Sequence, residues 1–227
     1  MAATSIDFAE LATAARIGIF GGTFDPIHIA HLIIAQEVAT RLHLDRILFM
    51  PAGEPPHKLG KHITSAQHRQ AMVALAIAEN PQFALSTLEL EHTGPSYTVL
   101  TLTRLREQLG PSPLFFLLLG GDMVYDIVTW RDPLGIVQQV AGIAAVQRPG
   151  FGFSAAELLA LDTRVPGLGA AIRPVQMPQI AISSTMIRDR VAQHLPVRYL
   201  VPAGVEAYIQ RHALYQGGPT PTEEDAL

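Results

Sequence analysis

The chain has 227 residues, 48% hydrophobic and 16% charged, with a net charge of −4. That supplies a sizeable core for one large domain or two small ones, and the mild acidity argues against broad electrostatic binding to nucleic acid or an anionic membrane. There is no cysteine, which excludes disulfides, thiolate metal sites and a cysteine nucleophile.

The opening "MAATSIDFAELATAAR" has no basic residue before Arg16, and Asp7 and Glu10 interrupt its apolar positions, so it does not read as a signal peptide. The apolar run Leu114 to Leu119 is far too short to span a bilayer. A cytoplasmic location is the expectation. Residues 1–15 read as a loose helical extension. "RIGIF" (16–20) is the first expected strand, followed by a helix over 26–43. "RILFMP" (46–51) is a second strand. A helix follows over 64–80, with Thr64 and Gln67 as a capping box. "FALSTLEL" (83–90) is a third strand, and 96–110 a helix ending at a glycine stop. "PLFFLLLGGD" (113–122) is a fully apolar strand. Further strands are expected in 141–150 and 171–177, and helices at 184–194 and 203–213. The tail 216–227 is polar, rich in Gly and Pro, and reads as disordered.

Alternating strands and helices with near-continuous apolar strands indicate an α/β fold. Its doubly wound parallel sheet would be covered by helices on both faces, as a single domain over 16–215. Ligands of such sheets bind beyond the carboxyl ends of the strands. "GIFGGTFDPIHIAHL" (18–32) crosses one such end. Gly21 and Gly22 permit a sharp turn and close approach of a ligand. Asp25 and Pro26 fit the N-cap and first position of a helix, whose positive end would attract an anion. His28 and His31 share a face with Ala35, Val38 and Leu42, so the imidazoles extend the buried stripe beyond the sheet. There they could donate hydrogen bonds to phosphate oxygens. A metal pair is the competing reading, but no third ligand stands nearby in sequence. The glycines do not spell a dinucleotide GxGxxG.

"ISSTMIRDRV" marks a second helix start. Ser183, Ser184 and Thr185 offer hydroxyls and amides, and Arg188 can return to the same end of the helix.

"GGTFDPIHIAH" resembles the signature of the nucleotidyltransferase superfamily. With "PAGEPPHK", "HRQAM", "SYT", "GGD", Trp130, "QRPG", "ISSTMIR" and "YIQRHALY" in order, the chain resembles the nicotinate mononucleotide adenylyltransferases over roughly 16–215. The resemblance implies a Rossmann-like fold. It implies joining of ATP and nicotinate mononucleotide to give nicotinate adenine dinucleotide and pyrophosphate, in NAD biosynthesis. Magnesium would accompany ATP, bound mainly by its β- and γ-phosphates. By resemblance His28, His31 and Arg188 act on the reacting phosphates. ATP lies against Gly21, Gly22, Thr23, Phe24, Gly120, Asp122, Ser183, Ser184 and Thr185, with Asp122 on the ribose. His57 and Lys58 close over the phosphates, Trp130 stacks on the pyridine ring beside Arg131, and Tyr97 and Thr98 meet the nicotinate carboxylate. The helix start at "SYT" suits a carboxylate better than an amide. The family usually has glycine between the two histidines, where this chain has Ala30. A homo-oligomer is compatible with the sequence. Two alternatives are a same-fold enzyme using nicotinamide mononucleotide or phosphopantetheine, and a non-catalytic nucleotide sensor.

Overall fold

The computed structural model describes residues 11, 13–53, 63–91, 94–147, 152–177 and 180–217. Six strands form one sheet: β1 (Arg16–Gly22), β2 (Arg46–Pro51), β3 (Phe83–Leu85), β4 (Leu114–Gly120), β5 (Gly142–Gln147) and β6 (Ile172–Gln176). Their order is β3-β2-β1-β4-β5-β6 and every pairing is parallel. This is the doubly wound arrangement expected, with its switch point between β1 and β4.

The helices are α1 (Ile29–Arg41), α2 (Ala66–Ile77), α3 (Thr98–Leu109), α4 (Met123–Asp126), α5 (Pro133–Gln139), α6 (Ala155–Arg164), α7 (Leu168–Ala171), α8 (Ser184–Ala192) and α9 (Ala203–Arg211), with a 3-10 turn at Ile127–Thr129. Two apolar clusters cover the sheet. One joins Leu102, Leu105, Ile127 and Ile136 to Ile17, Ile19 and Phe115. The other joins Val38, Met72, Ile187 and Ile209 to Ile47, Phe49 and Phe116. Alternate strand residues face opposite clusters, so both faces of the strands are apolar and the runs read as continuous.

Leu11 and Ala14, within the expected N-terminal extension, are buried in the first cluster. Several expected elements differ. The first helix begins at Ile29, not Pro26, and ends at Arg41. The second begins at Ala66, capped by the Ser65 hydroxyl, which accepts from the His68 N–H at 3.4 Å. The Thr64–Gln67 capping box is therefore not formed, and Thr64 instead gives its carbonyl to Arg69. The third strand stops at Leu85 rather than Leu90. The Ser86 hydroxyl accepts from the Leu88 N–H, and the Leu90 N–H closes a turn onto the Thr87 carbonyl. This is turn chemistry inside an apolar-looking run. The short helices α4 to α7 are not among the expected elements, although Ser154 and Glu157 form a capping box at the start of α6 and Asp132 caps α5.

Candidate active site

At the carboxyl end of β1 the chain turns through Gly22. A Cβ there would meet the Phe24 ring at 3.0 Å. Any other side chain there would push this ring by a few tenths of an ångström from its place under the turn. Phe24, at φ +49, then packs edge-on to Phe20 and near Phe49, with its ring centroid 5.0 Å from that of His31. Its side chain is therefore buried in the core and supports His31; only its backbone is available to a ligand. At Gly21 a Cβ would meet nothing within 4 Å.

Asp25 does not cap the helix. The Asp25–Pro26 bond is cis, and the carboxylate, 4% exposed, accepts from the Tyr215 hydroxyl at 2.7 Å and from the Thr64 N–H at 3.2 Å. Long-range partners have taken the side chain that local sequence assigns to the helix start. The N-cap is His28, and α1 enters with the Ile29 N–H donating to the Leu200 carbonyl. His31 is the third helical residue. Its Nδ1 accepts from the His28 N–H at 3.2 Å, so a histidine performs the backward reach usually made by Glu or Gln. The two imidazoles are stacked, with centroids 3.7 Å apart and planes at 28°. Burial pushes the His28 pKa down to about 4, and burial plus the neighbouring His28 holds His31 well below 6.5. Both rings are neutral at pH 7. With Nδ1 of His31 accepting, its proton resides on Nε2, which is then a hydrogen-bond donor.

The second helix start meets this turn. Ser183 caps α8, accepting from the Met186 N–H at 3.1 Å. Ser184 Oγ donates to the Pro26 carbonyl at 2.9 Å. Arg188 donates to the Asp25 carbonyl at 2.8 Å and to Thr185 Oγ1 at 3.2 Å. The two helix N-termini are thus joined, although Pro26 and Ser184 are 158 residues apart.

Arg69 of α2 is the residue that reading the sequence as helices and strands misses. It is 2% exposed. Its guanidinium donates to the carbonyls of Thr23 (3.0 Å), Ala52 (2.7 Å), Gly53 (3.3 Å) and Thr64 (2.9 Å). It clamps the loops after β1 and β2 to the approach to α2. Burial lowers its pKa, and Asp25 and Tyr215 oppose that shift. The available signal is its spacing, since Arg69 stands on the stripe with Met72, Val73 and Ile77.

At β4 a Cβ on Gly120 would meet Asp122 Oδ1 at 2.7 Å, so glycine lets that carboxylate lie over the strand end. Asp122 stands at the N-cap of α4 but makes no capping hydrogen bond.

On the other side of β2, the Gly53 N–H donates to Ser96 Oγ at 3.1 Å, tying the Arg69 clamp to the start of α3. Tyr97 is the N-cap and Thr98 the first helical residue. The Arg131 guanidinium lies 4.8 Å from the Tyr97 ring centroid. Trp130 is packed against the first core cluster, with its indole N–H buried and unpartnered. Glu89 faces the first turn of the same helix, accepting from Thr101 Oγ1 at 2.8 Å, and burial raises its pKa. The candidates Tyr97, Thr98, Trp130 and Arg131 thus gather beyond β2 and β4, with Tyr97 and Arg131 in contact. His57 and Lys58 lie outside the described residues.

Among the described residues no three His, Asp or Glu side chains cluster to hold a metal, and no helix is long and apolar enough to cross a membrane.

The cytidylyltransferase-like family matches residues 19–190. A "probable nicotinate-nucleotide adenylyltransferase" of Roseiflexus sp. (strain RS-1) is 47% identical over 204 residues, covering 90% of this chain and 100% of the relative. One of Thermomicrobium roseum is 45% identical over 201 residues, covering 88% and 92%. Among solved structures, Plasmodium falciparum nicotinic acid mononucleotide adenylyltransferase complexed with APC superposes with a TM-score of 0.70 at 21% identity, covering 91% of this chain and 100% of that one. The same protein complexed with NaAD gives 0.69 at 20% identity, covering 90% and 99%. The chain belongs to the cytidylyltransferase-like family and, within it, to the nicotinate-nucleotide adenylyltransferases.

Proposed function

We propose that this enzyme joins nicotinate mononucleotide to ATP by direct in-line attack of the mononucleotide phosphate on the α-phosphorus, releasing pyrophosphate. A phosphate monoester is largely ionised at pH 7, so the attacking oxygen needs no strong base. The protein's task is positioning and charge stabilisation. The observation that carries this reading is the union of two helix N-termini through Arg188 and Ser184, beside a neutral His31 whose Nδ1 is already engaged. Its Nε2–H donates to a phosphate oxygen as charge shifts toward the leaving group. His28 and Arg188 contribute beside it. The Gly21–Thr23 backbone, Ser183, Ser184 and Thr185 line the phosphates, and Gly120 and Asp122 receive the ATP ribose. His57 and Lys58 supply a further imidazole and cation.

Magnesium brought in with ATP would offset the charge on its phosphates. The described residues offer no ligand set of their own for it.

For the acceptor, the start of α3 attracts a carboxylate. Glu89 already engages that helix end through Thr101, which weakens the attraction. The Arg131 guanidinium against Tyr97 tips the balance back toward an acidic ring. Trp130 supplies the flat face. The test is kcat/KM for nicotinate against nicotinamide mononucleotide, following pyrophosphate release. The nicotinate form is expected to be favoured by at least about tenfold, the scale of one charge-assisted contact. Equal values would remove the acid-acceptor assignment.

A further inference from the structure

Tyr215 lies in the turn after α9, at φ +65, and its hydroxyl donates at 2.7 Å to the carboxylate of Asp25. Its ring packs on the second core cluster, with the hydroxyl 4.0 Å from Met72 Sδ of α2. Asp25 is the residue on which the catalytic turn is hung. Its carboxylate takes Tyr215 and the Thr64 N–H, its carbonyl takes Arg188, and the Arg69 clamp grips Thr23 two residues before it. His28 follows three residues later and leads directly into the pair of stacked rings.

We propose that Tyr215 is a positioning residue: by donating to Asp25 it fixes the turn that aims His28 and His31 at the phosphates. The inference rests on the adenylyl-transfer reading above. Without the hydroxyl, a buried carboxylate oxygen loses its donor, and an unpaired buried acceptor is costly enough to drive rearrangement. The Thr23, Asp25 and Pro26 carbonyls are held by Arg69, Arg188 and Ser184, so the response is a small shift of Asp25 passed along the turn to His28. A small displacement there is felt as lost alignment of the reacting groups.

The competing explanation is that Tyr215 merely fastens the C-terminal segment to α2. The molecule contains its own control. Tyr208 of α9 places its hydroxyl 3.0 Å from Nδ1 of His68 on α2. That contact fastens the same C-terminal segment to α2, through α9, without touching Asp25.

The experiment uses the full chain with ATP and nicotinate mononucleotide, and compares Tyr215→Phe, Tyr208→Phe, Asp25→Asn and the Tyr215→Phe/Asp25→Asn double variant. Tyr215→Phe is expected to lower kcat about tenfold with both KM values within about threefold, the pattern of misalignment rather than lost binding. Tyr208→Phe is expected to keep the wild-type kcat. The double variant is expected to fall no further than Asp25→Asn alone, since the two residues act as one unit. Wild-type kcat in Tyr215→Phe would overturn the proposal. So would equal losses in the two tyrosine variants, or additive losses in the double variant. Should Tyr215→Phe melt below the assay temperature, Asp25→Asn against Tyr208→Phe decides: a loss of kcat in the first alone supports the proposal, and equal values overturn it. A wild-type chain that forms no dinucleotide would instead remove the functional reading itself.

Discussion

His28 donates its backbone N–H to Nδ1 of His31 while the two imidazoles lie stacked 3.7 Å apart. A helix start is thereby closed by the same two rings that we propose face the phosphates. Cap and chemistry share one arrangement, and that arrangement requires both rings to be neutral.

Acid should therefore weaken the fold. His28 titrates near 4 in the folded chain and near 6.5 when unfolded, and His31 is shifted the same way. Below pH 6.5 the unfolded chain takes up protons that the folded chain refuses, so stability present above 6.5 is lost as pH falls toward 4. His28 alone withdraws roughly 3 kcal/mol over that range, at about 1.4 kcal/mol per pKa unit. Thermal melts at pH 7 and pH 4.5 are expected to show a smaller drop for His28→Asn than for wild type. An equal drop would place the acid sensitivity elsewhere.

Removing the His31 ring takes away both the Nε2 donor and the acceptor for the His28 N–H. His31→Ala is expected to lose about 10²- to 10³-fold in kcat, the usual cost of one transition-state donor. Turnover within threefold of wild type, in a variant whose circular dichroism is unchanged, would take His31 out of the mechanism.

Arg69→Met keeps much of the length and removes four hydrogen bonds to carbonyls. Buried acceptors lose their donor and Asp25 loses a neighbouring cation, so about 3 kcal/mol of stability should disappear. Urea unfolding measures this directly. A change below about 0.5 kcal/mol, the scale of an ordinary surface substitution, would mean that the loops do not depend on the clamp.

Ala30 stands between the histidines where the family usually has glycine. It is 4% exposed, so its methyl group is covered by protein and little of it can touch ATP. Ala30→Gly is expected to cost about 0.5–1 kcal/mol of stability through helix propensity. It should leave the KM for ATP unchanged within about twofold, because no ligand contact is relieved. A several-fold lower KM for ATP in the glycine variant would show that the methyl group does crowd the nucleotide.

The strands and their parallel arrangement were legible because β1, β2, β4 and β5 are apolar on both faces, a pattern few other architectures need. The stripe of Ala35, Val38 and Leu42 was legible for the same reason: Ala35 and Val38 are buried in the second core cluster, and Leu42 packs against it. The helix start was misplaced by three residues because Asp25 and Pro26 are strong local signals, and Asp25 is claimed by residues 39 and 190 positions away. No local window contains that competition. The short third strand was hidden in the same way, by the Ser86 hydroxyl and the Thr87 carbonyl, which close turns inside an apolar run. Arg69 left a visible trace, an arginine on an apolar helical stripe, but its four carbonyl partners come from three separate segments. Among the phosphate candidates, Ser184, Thr185 and Arg188 do gather at one helix end. Phe24 supports the site from beneath, through packing that composition does not reveal.

The Asp25–Tyr215 hydrogen bond also orders events during synthesis. Asp25 leaves the ribosome 190 residues before its partner, with β2 to β6 emerging in between. A nascent chain can pair β1 with β2 and bury much of its core while this carboxylate still has no hydroxyl to receive. The entropy of closing so long a loop is then lower than for a free coil, because the folded sheet has already brought the two ends together. Tyr215 is thus a late latch, set only after the scaffold that presents it has formed.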